Sequence, residues 1–417
     1  MGVDAKVHIN IKRNDFFLAF LLFSIEFNMP IHGFITLRKI GLFILLLLYV
    51  HNNTKIELKM QRSTIIFSVW SAILYMYTFW IVHVYSGTLN NDSGVVYNSK
   101  NILILLLYIF ILPHMFACVF DGIFQFLRCQ WYITLFQSAI VLLGRLFLNI
   151  RLYVFYNYSY DDGRLLEGIE NGIRSVGIDL SGSAGSLILF SGLMCGIYLF
   201  FYSSKKKRII ILIEYFAILI ALLFMGRLGL YFGLIGLLVI SIYCIFHKDP
   251  CIWIIIGLMV FVLVAIMVYI AVSPDSWGLR TWVQWITEFM HMFEKNGTIA
   301  AIGKQNVPPL TMEMLFGTGL IYGVTDSGMI LNHDAGYIRI YSAIGLIGCI
   351  VYYGIIYGYY FSMVKRVKSK INRIFFTCFV IVIIISEMKE PFLSKTPVAI
   401  IISSMLLLEE KKKLYIS

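Results

Sequence analysis

Between Leu315 and Gly348 the chain gathers residue types that rarely stand together unless they bind or react. It reads Leu-Phe-Gly-Thr-Gly-Leu-Ile-Tyr-Gly, then Asp326, then Asn332-His333-Asp334-Ala335-Gly336-Tyr337, then an apolar run opening Ile338-Arg339. Polar groups at the mouth of an apolar helix are costly without a ligand or a reaction to serve. A histidine and an aspartate both take a proton near neutral pH, so His333, Asp326 and Asp334 are candidate bases or hydroxyl-orienting groups. Asp334 also suits the cap of a helix starting near Tyr337, which leaves His333 as the base and Asp326 as its partner across the turn. Gly317-Thr318-Gly319 and Gly323 indicate a tight backbone turn. No lysine of the phosphate-loop kind follows it and no strand precedes it, so a nucleotide loop is not expected.

Arginines are the second set. Arg145, Arg151, Arg164, Arg174, Arg227, Arg280 and Arg339 all fall in, or within a turn or two of, loops expected on the outer side of a membrane. The positive-inside bias disfavours them there. Arg227 is the most pointed, set in Met225-Gly226-Arg227-Leu228-Gly229 between two apolar runs. A guanidinium there can grip a phosphate with two parallel bonds, which lysine cannot match. Arg174 and Arg339 are candidates of the same kind, and all three have the plainer alternative of snorkelling to headgroups. The outer loops also hold many acids, so any anion site must be local. Glu214, inside an apolar run, and Glu26, near the end of another, raise a coupled-transport reading.

These residues need elements to hold them. With 59% hydrophobic residues, 14% charged ones and a mean hydropathy of +0.83, the chain is not a soluble globular protein. Its apolar runs are about 15–25 residues long, enough to cross roughly 30 Å of hydrocarbon as helices. Period-two alternation is absent, so a β-barrel is not expected. The fold class is therefore an all-α polytopic membrane protein, one integral domain over 1–417. About twelve transmembrane helices are expected, near 16–34, 36–50, 64–85, 101–120, 132–150, 185–203, 209–225, 229–246, 251–273, 337–363, 374–387 and 396–408. The second and the last two are the shortest.

With twelve spans, the basic clusters around Lys12, Lys59, Arg128, Lys205 to Arg208, Lys248, Lys365 to Arg373 and Lys411 to Lys413 all share one side. That side reads as cytoplasmic, with both termini in it. The other side carries loops 86–100, 151–184 and 274–336, the last too long for an idle connection. Within it, 281–293 sets Trp282, Trp285, Ile286, Phe289 and Phe293 on one face, as for a helix lying in the interface or on the bundle top. The seven cysteines lie in apolar runs or beside basic loops without a CxxC pair, so disulfides and structural zinc are not expected. The first apolar run lacks a cleavage pattern and reads as a retained helix. No segment could build a basic soluble face, so no nucleic-acid partner is expected. Among ligands, membrane lipid is.

In four places the chain resembles the O-antigen polymerases of the Wzy type, within the O-antigen ligase and polymerase superfamily. These are Arg174-Ser175-Val176-Gly177 with Gly185, then Gly226-Arg227-Leu228-Gly229, then Gly317-Thr318-Gly319 leading to Asp326 and His333 to Tyr337, and Lys389-Glu390-Pro391. Some members carry an arginine and a glycine eleven residues on in each of two outer loops. Arg174 and Gly185 match that spacing, whereas Arg280 has His291 there. The resemblance implies a bacterial inner membrane and two long periplasmic loops, 151–184 and 274–336, the second carrying the site. It implies a metal-independent glycosyltransferase that polymerises undecaprenyl-pyrophosphate-linked oligosaccharide repeats, with no cofactor. Arg227, Arg174 and Arg339 would bind the pyrophosphate, and a chain-length regulator protein is a conceivable partner. The alternatives are an O-antigen ligase, a flippase for lipid-linked oligosaccharides, or an ion-coupled transporter.

Overall fold

The computed structural model describes residues 14–32, 35–52, 62–85, 95–158, 166–170, 174–180, 182–272, 307–325, 328–331, 333, 335–393 and 395–411. A helix stands over each of the twelve expected segments: α1 (Asp15–Glu26), α2 (Leu37–Asn52), α3 (Arg62–Trp80), α4 (Lys100–Val119), α5 (Ile123–Leu146), then the short α6 (Leu148–Tyr158) and α7 (Leu166–Glu170). They continue as α8 (Gly182–Tyr202), α9 (Lys205–Met225), α10 (Arg227–Phe246), α11 (Cys251–Val272), the short α12 (Met312–Phe316), α13 (Gly336–Arg366), α14 (Lys370–Ser386) and α15 (Thr396–Lys411). Among the described residues, seven are long and apolar enough to cross a membrane. Large apolar side chains such as Trp70, Ile213, Leu238 and Ile350 face outward from them, as lipid-facing surfaces require. The interfacial helix expected over 281–293 lies outside the described residues.

Successive helices alternate in direction, so their ends collect in two sets. At the lysine-rich end, Arg128 pairs with Asp15 at 3.0 Å, Arg208 with Asp249, and Arg366 with Glu410 at 3.8 Å. There too the buried Glu409 accepts from Tyr198 and Asn372. At the opposite, loop end, Asn28 meets Asp179, Ser175 meets Phe224, and Tyr77 meets Phe316. The most enclosed of the seven long helices is α8. Small residues let its neighbours approach: a Cβ on Gly196 would lie 2.2 Å from the Trp131 ring.

Three expectations need correcting. The first span does not run to residue 34. Helix α1 stops at Glu26, and Pro30–His32 (β1) pairs antiparallel with Ile35–Thr36 (β2) as a short hairpin. Asn28 and Pro30 favour turn and extended backbone over helix. Second, the fold is not wholly helical, since loops far apart in sequence share a sheet. Val95–Val96 (β3), Leu320–Val324 (β4) and Ile330–Leu331 (β5) form three antiparallel strands in the order β3-β4-β5. Strands this short leave no readable alternation.

The third correction matters most for the site. Helix α13 is not one straight span, because it breaks at Gly345, whose φ of 72° and ψ of 175° are not helical. The hydroxyls of Tyr337 and Tyr357 lie 3.1 Å apart although twenty residues separate them. On a continuous helix that separation would be about 30 Å. Segment 336–344 is therefore an arm folded back along the first turns of 346–366. The remaining limb, 346–366, is roughly 31 Å long and suffices to cross a membrane.

Candidate functional site

The folded-back arm is held at both ends by backbone contacts. At its apex, Gly345 presses on Gly317, which also has positive φ, 109°. A Cβ on Gly345 would fall 2.3 Å from the carbonyl carbon of Phe316, and one on Gly317 would fall 2.5 Å from that of Ile344. Only glycine satisfies both the dihedral and the approach. Breaking the helix frees carbonyl groups, and the turn expected at Gly317-Thr318-Gly319 satisfies them. The Thr318 N–H and hydroxyl both donate to the Ser342 carbonyl, at 2.9 and 2.8 Å, and the Gly319 N–H donates to that of Ala343 at 2.9 Å. The Gly319 carbonyl in turn accepts from the Tyr97 N–H at 2.7 Å.

At its other end the arm rests on the turn between α14 and α15. The N–H groups of Gly336 and Tyr337 donate to the Glu387 carbonyl, and Tyr337 donates its hydroxyl to the Ile384 carbonyl at 2.8 Å. The helix begins after Ala335, and the Glu387 carbonyl takes the first two of its N–H groups. The Glu387 side chain is buried, accepting from the Leu393 N–H and from the Tyr353 hydroxyl at 3.0 Å.

This frame brings two of the candidate residues together. Arg339, half-buried on the arm, donates from Nε to the His333 carbonyl at 2.7 Å. Its guanidinium also lies over the Tyr322 ring of β4, 4.5 Å from the centroid. Arg339 thus fixes the loop that carries His333 against the sheet. Asp326 and Asp334 lie outside the described residues.

Arg174 stands elsewhere on the loop end. Its N–H donates to the Gly168 carbonyl at 2.9 Å, while the next residue, Ser175, bonds Phe224 by its N–H and Val141 by its hydroxyl. Arg145 lies over the Phe224 ring at 5.0 Å. Arg151 is 5% exposed and reaches the carbonyls of Gly144 and Glu170 through long bonds of 3.4 and 3.3 Å. Burial, and then the charge of Arg145, lower its proton affinity. Arg227 opens α10, joined to α9 by Gly226 alone. The α9–α10 joint sits tightly on the start of α8, because the Gly229 N–H donates to Ser186 Oγ and a Cβ on Gly226 would lie 2.9 Å from the Gly182 carbonyl. The Arg227 side chain itself lies outside the described residues. Arg145 thus lies on the Phe224 ring, the residue after Arg174 bonds the Phe224 backbone, and the backbone of Arg227 lies three positions further on.

The sequence reading passed over Arg38. It opens α2, donates to the carbonyls of Ile25 and Glu26 at 2.9 and 2.7 Å, and stands 3.8 Å from Asp179. Its position at the margin of a short apolar run gave no signal beyond charge. Among the described residues, no group of three or more His, Cys, Asp or Glu is placed to hold a metal ion. No family model, curated protein or solved structure matches the chain.

The loop end thus joins Arg339 to the His333 backbone, and separately brings the segments of Arg145, Arg151 and Arg174 towards the ends of α5, α6 and α9.

Proposed function

We propose that the protein is a metal-independent glycosyltransferase that polymerises lipid-pyrophosphate-linked oligosaccharides at the outer face of a bacterial inner membrane. The observation that carries this reading is the folded-back arm, which holds His333 and Arg339 together at the mouth of a membrane helix. In the reaction, an acceptor sugar hydroxyl attacks the anomeric carbon of the donor glycan. The bond from that carbon to the pyrophosphate oxygen breaks, its electron pair leaves with the polyprenyl pyrophosphate, and the hydroxyl proton passes to His333, with Asp326 and Asp334 nearby in sequence. Arginines stabilise the charge that develops on the leaving group, the part assigned to Arg339, Arg174 and Arg227. The lysine-rich end then faces the cytoplasm with both termini, and the chain crosses twelve times.

Deleting the gene and examining the lipopolysaccharide ladder tests the reaction. A single repeat on the lipid core supports polymerisation, and an unchanged ladder overturns it. No repeat on core would favour a ligase or a flippase. Reporter fusions test the sidedness: export at Lys304 with none at Lys206 and Lys368 is expected, and the reverse sinks the proposal. A coupled transporter is the second reading, favoured by the wholly buried Glu26 carboxyl and by the broken helix, a device transporters use. A dispensable 274–336 loop would support it.

A further inference from the structure

We propose that Glu26 is a proton-binding site inside the helix bundle, its carboxylic acid closed into a reciprocal pair with the side-chain amide of Gln130. Glu26 ends α1 and is 0% exposed, and Gln130 on α5 is 2% exposed. The amide nitrogen of Gln130 donates to Glu26 Oε2 at 3.1 Å. That leaves two buried oxygens without a donor, Glu26 Oε1 and Gln130 Oε1.

Two orphan acceptors within one hydrogen-bonded pair are unusual, because buried polar atoms nearly always find partners. An ionised carboxylate brings no donor to relieve them. The Gln130 amide can donate to only one carboxylate oxygen, and flipping it still leaves the other bare. A single proton on Glu26 Oε1 resolves both deficits. It removes the charge from an apolar interior and supplies the O–H that Gln130 Oε1 lacks. The pair then has two hydrogen bonds in opposite senses, N–H to acid carbonyl and acid O–H to amide carbonyl.

The hydrogen bonds of the surrounding groups go elsewhere. Arg38, on α2, directs its Nε and one terminal nitrogen at the backbone carbonyls of Ile25 and Glu26, with Asp179 as its acidic neighbour. From α8, the Cys195 thiol is directed to the Ser191 carbonyl and to Met405. From α5, the Thr134 hydroxyl donates to the Gln130 backbone carbonyl at 2.9 Å. Helix α15, which also packs here, carries no charged residue before Glu409. The site is thus a neutral acid set one residue from the loop end, and it holds its proton whether or not the loop end transfers sugars.

Infrared spectroscopy of the purified full-length protein at neutral pH is the test. The wild type should show a carboxylic-acid carbonyl band that moves in heavy water and disappears in Glu26→Gln. That variant should also melt within a few degrees of wild type, because an amide at 26 repeats the pair without a proton. In Gln130→Leu the band should persist but shift to higher frequency, as the acid loses its acceptor. Absence of an acid band assignable to Glu26, or an unmoved band in Gln130→Leu, overturns the proposal. Should Glu26→Gln fail to fold, the shift in Gln130→Leu decides alone.

Discussion

The two ends of the bundle use charge differently. At the lysine-rich end, charged side chains meet one another, Arg208 with Asp249, Arg128 with Asp15 and Arg366 with Glu410, beside backbone bonds from Arg208 and Arg373. At the loop end they chiefly hold backbone: Arg38 on Ile25 and Glu26, Arg339 on His333, Arg151 on Gly144 and Glu170, Glu387 on Leu393. The loop end thus spends side-chain bonds mainly on fastening its own loops, with Arg38 also facing Asp179 at 3.8 Å.

The largest effect should come from the seam on which the loop end rests. Gly345→Ala and Gly317→Ala each force a side chain into backbone at a positive φ, and should cost more than about 5 kcal/mol. The expected readout is loss of folded, monodisperse protein on size-exclusion chromatography. Recovery of wild-type yield from both variants would mean that the arm is not folded back.

Next come two aspartates that sharpen the contrast. Burial pushes the Asp249 carboxyl up, but the Cys251 N–H and Arg208 outweigh it and hold it below the usual range. Its contribution is present above the unfolded value of about 3.9 and is lost only as pH falls through the lower folded value. For Asp179, burial wins over the Asn28 N–H and the charges of Arg38 and Lys395, so its proton affinity is raised. The sign reverses: its contribution is full below about pH 3.9 and fades as pH rises through the higher folded value. Asp249→Asn should therefore cost about 3–5 kcal/mol at neutral pH, and Asp179→Asn should leave the melting temperature level or raise it. Equal losses in thermal melts would erase the distinction between the ends.

Arg339→Ala removes a charged bond to the His333 carbonyl and the stacking on Tyr322. A loss of about 1.5–3 kcal/mol is expected, with a larger fall in polymer length than Arg174→Ala gives if the arm carries the chemistry. The smallest effect belongs to Arg128→Ala, since its pair with Asp15 is substantially exposed. A change under about 1 kcal/mol is expected, and a larger one would mean that the lysine-rich end depends on its surface pairs.

Helix positions were readable because each apolar run is bounded by charge or by turn residues, as Lys205 to Arg208 and Gly226 bound α9. The break at Gly345 was not. Gly192 and Gly196 stand in similar runs and remain helical, and what distinguishes Gly345 is Gly317, twenty-eight residues earlier, pressing on it. His333 and Arg339 could be nominated from their types. Their junction through a backbone carbonyl could not, because a side chain gripping main chain leaves no pattern of residue types. The grip of Glu387 on the Leu393 N–H and the Gly336 arm left no trace for the same reason.

The arm also implies an order of assembly. Its start is pinned by Glu387 and Ile384, which leave the ribosome some fifty residues after Gly336. A segment of about 13 Å cannot span the bilayer, so until α14 is in place it has no berth at membrane depth. A nascent chain ending shortly after Arg366 should leave residues 336–344 open to protease, and extending it past Leu393 should close them. Maturation of the candidate site would then wait on α14 and the turn that follows it, and a chain stopped before them would carry the arm without its berth.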